Sequence, residues 1–385
     1  MKTKANNKVL FVAAFFLVST LAACSPSNSG FQTSTAMPST GSGTDTDNSQ
    51  SIPDTGDTNS TTPPTPTSPA PDESTDSAKS LKIHAFSDMN IDTDGTYSSA
   101  TISIVKSMIS RDPAVILGVG DFIDGEKTSL SDSTYVSMWN SFSKKVMAPM
   151  RDARIPFMAT PGNHDAYYNQ ERTQYSTFWK KNKGSVEFVD DANFPFYYSF
   201  IQEDVFFISL DDANYSNLKN RTTQLAWLKT QLTSARAKGA RARVVYGHIP
   251  LYSIVASKAN SSTVYQNGVL TSERRTAGSN TLEAILLNNN VDLVIFGHSH
   301  GFYSGHYTYP DGKKLQVVSM PCAGSAPRYL VGTSTKTPTG YVELTISETN
   351  KLTIRYYNSS GTLQSLSSLP ASLTLDSKNG VRYVR

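Results

Sequence analysis

The sequence has few cysteines: among 385 residues there are two, Cys24 and Cys322. Two cysteines exclude a framework of several disulfides. We expect Cys322 to be a small buried residue rather than a nucleophile. The chain also lacks the lysine and arginine clusters that mark nucleic-acid binding. Basic residues outnumber acidic ones only slightly, 35 to 32. This small excess is compatible with an anionic substrate but does not identify one.

Long apolar runs are also absent, because the longest, residues 9–23, falls short of the roughly 20 residues that span a bilayer. Lysines precede this run, so residues 1–23 are predicted to be a signal peptide. The run ends in Leu21-Ala22-Ala23-Cys24, which resembles a bacterial lipobox and predicts a lipid-anchored Cys24. The alternative is an ordinary cleavage site. The lipobox implies an extracytoplasmic lipoprotein of the cell envelope, tethered to the membrane, and Ser25 favours the outer membrane where two membranes exist.

Residues 25–80 are mainly Ser, Thr, Pro, Gly and Asp, with seven acidic residues and one lysine. Such a segment buries too little apolar surface to offset the entropy of ordering it, so we predict a disordered tether over residues 24–80. The pattern changes at Leu81, where a folded domain of residues 81–358 is predicted to begin. We assign no role to the Ser- and Leu-rich tail, residues 359–385.

The folded part alternates apolar strands with helices at first and is rich in strands at its end. This order predicts mixed β-sheets covered by helices. We predict helices over 97–110, 132–150 and 222–238. Residues 256–280 and 303–312 are expected to be loops that select the substrate.

Polar side chains follow five predicted strands, each at the point where the strand ends. They are Asp88, Asp121, the group Asn163-His164-Asp165, His248, and the pair His298 and His300. Open α/β sheets keep their ligand sites just beyond strand ends, and four of the six histidines lie in these clusters. Carboxylate, amide oxygen and imidazole together suit hard to borderline divalent metal ions. The pattern therefore predicts a metal centre, and a shared carboxylate would suit two-metal phosphoryl hydrolysis.

These blocks resemble the calcineurin-like metallophosphoesterase superfamily in order and spacing, over roughly residues 81–357. The blocks are Asp88, Gly120-Asp121-x-x-Asp124, Gly162-Asn163-His164-Asp165, Gly247-His248 and Gly297-His298-x-His300. The run from Phe194 to Phe200 is similar to the purple acid phosphatase branch. The resemblance implies an α/β fold, a four-layer αββα sandwich of two mixed β-sheets flanked by helices.

The resemblance also implies roles for these residues. Asp88, Asp121 and His300 would hold one divalent metal ion, and Asp121, Asn163, His248 and His298 a second, with Asp121 and a hydroxide bridging the two. The metal-bound hydroxide would attack the phosphorus of a phosphate monoester or diester, and His164 would be the general acid. Asp165 would either orient His164 or stabilise the turn.

One block departs from the superfamily pattern, which usually has Asp-x-His where this chain has Asp88-Met89-Asn90. An amide oxygen is a harder ligand than imidazole, which favours manganese or magnesium over iron or zinc, and manganese is our preferred expectation. Asp124 stands where purple acid phosphatases have a tyrosine ligand. Asn90 and Asp124 are each expected either to bind metal or to hydrogen-bond a ligand.

We therefore expect a metal-dependent phosphoric ester hydrolase, a phosphatase or a phosphodiesterase. The alternative is a surface binding module of the same fold whose catalytic site is weakened, with Asn90 as the first ligand lost.

Overall fold

The computed structural model describes residues 80–214, 222–258, 281–377 and 379–385. The predicted signal peptide, Cys24 and the tether up to residue 79 lie outside the described residues, and so does most of the expected loop 256–280. Among the described helices, none combines the length and apolar character that crossing a membrane requires.

The strands coincide with the apolar runs of the sequence. They are β1 (Leu81–Phe86), β2 (Val115–Val119), β3 (Phe157–Thr160), β4 (Glu187–Asp190), β5 (Tyr198–Gln202), β6 (Val205–Ser209), β7 (Ala242–Gly247), β8 (Leu293–Phe296), β9 (Tyr303–Thr308), β10 (Lys314–Ser319), β11 (Gly340–Ile346), β12 (Leu352–Asn358), β13 (Ser372–Asp376) and β14 (Val381–Val384).

The described α-helices lie between these strands. They are α1 (Ser99–Ser110), α2 (Asp132–Phe142), α3 (Ala148–Asp152), α4 (Asn163–Ala166), α5 (Asn169–Lys181), α6 (Thr222–Thr233), α7 (Ala235–Gly239) and α8 (Leu282–Asn288).

The strands form two mixed sheets. The first has five strands in the order β12-β11-β1-β2-β3, and the second has nine in the order β13-β14-β9-β10-β8-β7-β6-β5-β4. Strands β1, β2 and β3 run parallel in the first sheet, and β6, β7 and β8 run parallel in the second.

Neighbouring residues along the strands of the first sheet point to opposite faces of the sheet and pack in two different hydrophobic clusters. Val115 and Leu117 pack with side chains of the second sheet, whereas Ile116 and Phe157 pack with residues of α1, α2 and α5. Helices α6 and α8 contribute leucines to the cluster of the second sheet. Because successive strand residues point to opposite faces, this arrangement gives the predicted layers: helices, sheet, sheet, helices.

Two helix predictions were wrong in detail. The helix predicted over 132–150 is divided by a π-helical turn, Ser143–Met147, before α3. The helix predicted over 222–238 is divided at Ser234, whose hydroxyl accepts a hydrogen bond from the Ala237 N–H and so begins α7. Serine competes with helical hydrogen bonding in this way and favours a helix start.

The segment 303–312, expected to be a loop, is largely strand β9. Its alternating side chains bury Tyr303 and Tyr307. The tail that received no role supplies β13 and β14, and β14 pairs antiparallel with β9. Cys322 is buried, as predicted.

Candidate metal centre

The predicted site residues come from the carboxyl ends of parallel strands in both sheets. Asp88 follows β1, Asp121 follows β2 and Asn163 follows β3; His248 follows β7, and His298 and His300 follow β8. Parallel strands end at the same edge of a sheet. The structure therefore brings together side chains that are up to 212 positions apart in the sequence.

Two histidine–carboxylate contacts lie at the middle of the site. His300 Nε2 is 3.1 Å from Asp88 Oδ1, and His248 Nε2 is 3.1 Å from Asp121 Oδ2. His248 Nε2 also lies 3.9 Å from Asp88 Oδ1, so it stands between the two carboxylates. Asp121, His248 and His298 each offer a ligand atom, and these atoms lie within 4.8 Å of one another.

Backbone carbonyls fix which nitrogen of each ring faces the centre. The Nδ1–H of His248 donates to the Val119 carbonyl at 2.7 Å, and that of His300 donates to the Ala326 carbonyl at 3.2 Å. The Nε2 atom of each ring thereby faces the carboxylates. Hydrogen bonding of the far ring nitrogen is a usual feature of metal-binding histidines.

Three side-chain atoms of the predicted ligands are buried and have no hydrogen-bond partner within the described part of the chain: Asp88 Oδ1, His248 Nε2 and His298 Nε2. Buried polar atoms without partners cost free energy, so native structures rarely leave them unpaired. Divalent cations beside Asp88 Oδ1 and His248 Nε2, which lie 3.9 Å apart, would satisfy these two atoms, and nitrogen and oxygen donors suit such ions. The residues present therefore fit a metal centre.

The electrostatics also fit a cation. Burial opposes the charged forms, but the nearby carboxylate of Asp121 raises the pKa of His248 to about 10. Burial would raise the pKa of Asp121, yet the three neighbouring histidines, His248 foremost, lower it well below its usual value. Burial and His248 hold the pKa of His298 well below its usual value. A bound cation would replace the proton that this raised pKa keeps on His248.

Glycines before the ligands allow close approach. A Cβ on Gly120, whose φ is +79°, would lie 2.5 Å from His248 Nδ1, and one on Gly162 would lie 2.2 Å from Asp121 Oδ1. Only a residue without a side chain fits there. This explains the glycine in the Gly-Asp and Gly-Asn-His blocks.

His164 lies at the edge of the site with its side chain 29% exposed. Its Nδ1–H donates to the Gly125 carbonyl at 2.9 Å, and Asp124 Oδ1 is 3.5 Å from the same nitrogen. Its Nε2 is 3.7 Å from Glu126 Oε2, too long for a hydrogen bond. Burial lowers the pKa of His164, but Asp121, Glu126 and Asp124 together raise it above its usual value.

The contacts of Asp165 support a turn-stabilising role rather than orientation of His164. Its Oδ2 accepts the N–H groups of Asp121 and Gly162 at 2.7 and 2.9 Å, and its Oδ1 accepts those of Phe122 and Ile123 at 2.9 and 3.2 Å. Both oxygens are occupied by backbone donors. Of the two expected roles, these contacts favour the turn-stabilising one, in which Asp165 joins the loop after β2 to the turn after β3. Orientation of His164 by Asp165 stays a prediction.

Asn90 and Asp124, each expected either to bind metal or to hydrogen-bond a ligand, line one polar cavity of about 260 Å³. The side-chain oxygen of Asn90 accepts a hydrogen bond from Ser325. Asp124 pairs with Lys127 and lies beside the His164 ring. None of these partners is a predicted metal ligand, so both roles of Asn90 and Asp124 stay predictions.

Sequence reasoning missed four acidic residues near the site. Asp212 Oδ1 accepts the His248 N–H at 2.8 Å, and Asp211 pairs with Arg172 through two contacts. Both follow β6, so the strand-end signal that revealed the other clusters was present here too. Glu126 and Glu171 carry no such signal, because they contact the site from a loop and a helix.

The fold and the site together define an α/β protein with a candidate metal centre at its strand ends. Residues 81–302, more than half of the chain, match the model of the calcineurin-like phosphoesterase family. The chain therefore belongs to that family, whose members use divalent metals.

Two curated relatives from Arabidopsis thaliana carry related names. "Probable purple acid phosphatase 20" is 26% identical over 183 residues, which cover 46% of this chain and 38% of that protein. "Purple acid phosphatase 22" is 28% identical over 210 residues, covering 54% and 42%. The chain thus spans about two fifths of the length of these relatives.

Among solved structures, purple acid phosphatase PPD1 from yellow lupin (Lupinus luteus) seeds superposes with a TM-score of 0.54 at 19% identity. The match covers 74% of this chain and 52% of that one. At this identity the likeness shows the fold alone, and it confirms the predicted fold class.

Proposed function

We propose that the chain hydrolyses phosphate esters with two divalent metal ions held at the candidate metal centre. The observation that carries this proposal is the convergence of Asp121, His248 and His298, with buried atoms left unpartnered at Asp88, His248 and His298. Family membership and the purple acid phosphatase relatives support it.

The proposed ligand sets are those that the resemblance implies, and the contacts of His300 with Asp88 and of His248 with Asp121 support them. Asp88, Asp121 and His300 would hold one ion, and Asp121 would share in a second set. That second set is completed by Asn163, His248 and His298. Bound cations would supply positive charge for the phosphate group and the acidity that activates a water molecule. We propose manganese as the preferred ion, since every non-histidine donor is an oxygen.

We infer that His164 is the general acid. Its Nδ1–H is bound to the Gly125 carbonyl, which leaves Nε2, 3.7 Å from Glu126 Oε2, as the nitrogen that would carry the transferable proton. The surrounding carboxylates favour the protonated ring. We infer that His164 donates this proton to the alcohol oxygen that leaves phosphorus, which balances the departing negative charge.

The reaction is tested with a chromogenic phosphate monoester and a chromogenic diester. Chelator-treated protein is assayed without metal and with added manganese, iron or zinc. We expect turnover that depends on added metal, and the preferred ester identifies the substrate class. Bound metal without turnover of either ester would instead support the binding-module alternative.

The general-acid role is tested with His164→Ala. We expect kcat to fall by about 10²- to 10⁴-fold, the usual contribution of a positioned acid, with metal content nearly intact. His306→Ala is the matched control, because His306 is an exposed histidine on β9, outside the site. Full activity of His164→Ala, or loss of its metal, would contradict the assigned role.

A further inference from the structure

The loop of residues 124–127 packs directly against the turn that carries Asn163 and His164. A Cβ on Gly125 would lie 2.0 Å from the His164 carbonyl oxygen, so the two backbones are in close contact. Next to this contact, the side-chain N–H of Asn163 donates to Glu126 Oε2 at 2.7 Å. The side chain of Glu126 thus connects this loop to Asn163, which is a proposed metal ligand.

The two ends of the Asn163 amide are chemically different, and only the oxygen can bind a cation. Its Oδ1 faces His298 Nδ1 at 3.0 Å, on the side of the metal centre, and its NH₂ group faces Glu126. A carboxylate accepts hydrogen bonds and cannot donate them, so it holds only the NH₂ end of the amide. Rotation by 180° would set two acceptors against each other and turn the NH₂ group towards the cation.

We propose that Glu126 is a positioning residue, which holds the Asn163 amide with its oxygen directed at the metal centre. The proposal rests on the proposed function in so far as Asn163 is a metal ligand.

Glu126 is itself held by a buried carboxylate. Glu171 is fully buried, and its Oε1 accepts the N–H groups of Glu126 and Lys127 at 2.6 and 3.2 Å and the Tyr135 hydroxyl at 2.7 Å. The φ of Glu126 is +62°, a conformation that residues other than glycine rarely adopt.

The other Glu171 oxygen, Oε2, accepts the N–H groups of Tyr167 and Tyr168 at 3.0 and 2.9 Å. The Glu126 backbone is thus fixed independently of its side chain, so substitutions of Glu126 test the side chain alone.

The first test measures Mn²⁺ binding to chelator-treated full-length protein by calorimetry, with no substrate present. We expect Glu126→Ala to weaken Mn²⁺ binding about tenfold or more, as loss of a group that orients a ligand usually does. Glu126→Gln should bind within a few-fold of the wild type, because the glutamine oxygen can still accept from Asn163. Equal losses in both variants would overturn orientation as the mechanism.

The second test repeats Glu126→Ala in an Asn163→Asp background. Aspartate has two equivalent oxygens, so its rotation has no consequence, and Glu126 beside it becomes a like-charge neighbour. We expect Glu126→Ala to leave Mn²⁺ affinity unchanged or to raise it there, reversing the sign of its effect. The same loss in both backgrounds would show that Glu126 acts as a ligand or through its charge, and would overturn the proposal.

The two proposals fail in different ways. Wild-type protein that binds Mn²⁺ but turns over neither ester would overturn the proposed function and leave the Glu126 test intact. Wild-type protein that binds none of manganese, iron and zinc would overturn both.

Discussion

At the residue scale, four residues of the site have backbone conformations that residues other than glycine rarely adopt. Asp88, Asp121, His298 and His300 have φ values of +56°, +58°, +64° and +52°. Each such residue costs about 1 kcal/mol or more. The conformation turns a side chain at a strand end back towards the centre. Four such residues in one site indicate that the geometry of the site lowers the free energy of unfolding of the protein.

Hydrogen bonds compensate for this strain, and Asp165 supplies several of them. The Asp121 N–H donates to Asp165, and three more backbone N–H groups converge on the same carboxylate. Asp165 thereby positions Asp121 without entering the site.

Asp165→Asn is therefore predicted to destabilise the protein by about 3 kcal/mol, because an NH₂ group would face backbone donors in place of an acceptor. Weaker Mn²⁺ binding should accompany it, since Asp121 loses its anchor. Chemical denaturation and calorimetry measure the two effects. Asp191→Asn is the matched control, because the exposed Asp191 carboxylate pairs with Lys183 outside the site. Unchanged stability with a large fall in kcat would instead support the role in which Asp165 orients His164.

At the scale of elements, a polar ladder crosses three strands of the first sheet. His84 on β1 contacts Glu343 on β11 at 3.1 Å, and Arg355 on β12 contacts the same carboxylate at 3.3 Å. Burial lowers the pKa of His84, although Glu343 opposes that effect. The hydrogen bond from His84 lowers the pKa of Glu343 against the effect of its burial.

Both shifts predict that acidification destabilises the sheet. The unfolded chain protonates His84 more readily than the folded one, so stability falls as the pH drops below about 6.5. Ionised Glu343 stabilises the fold above its unfolded pKa, and that contribution is lost as the pH falls through its lowered pKa. His84→Leu should remove the upper part of the pH dependence and Glu343→Gln the lower part. Denaturation from pH 7 to about pH 3 measures this, and a wild-type slope above pH 5 in His84→Leu would refute it.

At the scale of the whole folded part, the C-terminal residues complete the larger sheet. Tyr383 on β14 is fully buried between the rings of Tyr303 and Tyr307, with centroid distances of 4.6 and 4.8 Å. Its hydroxyl lies 2.8 and 2.9 Å from the carbonyl oxygens of Tyr303 and Val317, which accept its hydrogen bond. The tail is thus part of the core.

Tyr383→Ala is predicted to destabilise the protein by about 3–5 kcal/mol, the usual cost of truncating a buried aromatic side chain. Tyr329→Ala should change stability by about 0.5 kcal/mol or less, because Tyr329 is 51% exposed. Thermal and chemical denaturation of both variants provide the comparison. Equal effects would show that the tail does not contribute to the core.

The strand-end clusters could be predicted because their signal is local. An apolar run that ends in a polar residue marks a strand end within a few positions, and parallel strands bring such ends to one edge. For this reason the sequence pattern predicted mixed sheets covered by helices and the meeting of Asp88, Asp121, Asn163, His248 and the His298–His300 pair. The four-layer order was implied by the resemblance to the metallophosphoesterase superfamily.

Other features depended on contacts that no local pattern encodes. Asp165 meets backbone N–H groups more than 40 positions away, Glu171 meets the loop that carries Glu126, and Tyr383 packs on a strand that begins 80 positions earlier. The sequence determined which residues could bind a metal. Only the tertiary structure decided which side chains hold them in place, because that choice depends on which distant backbones meet.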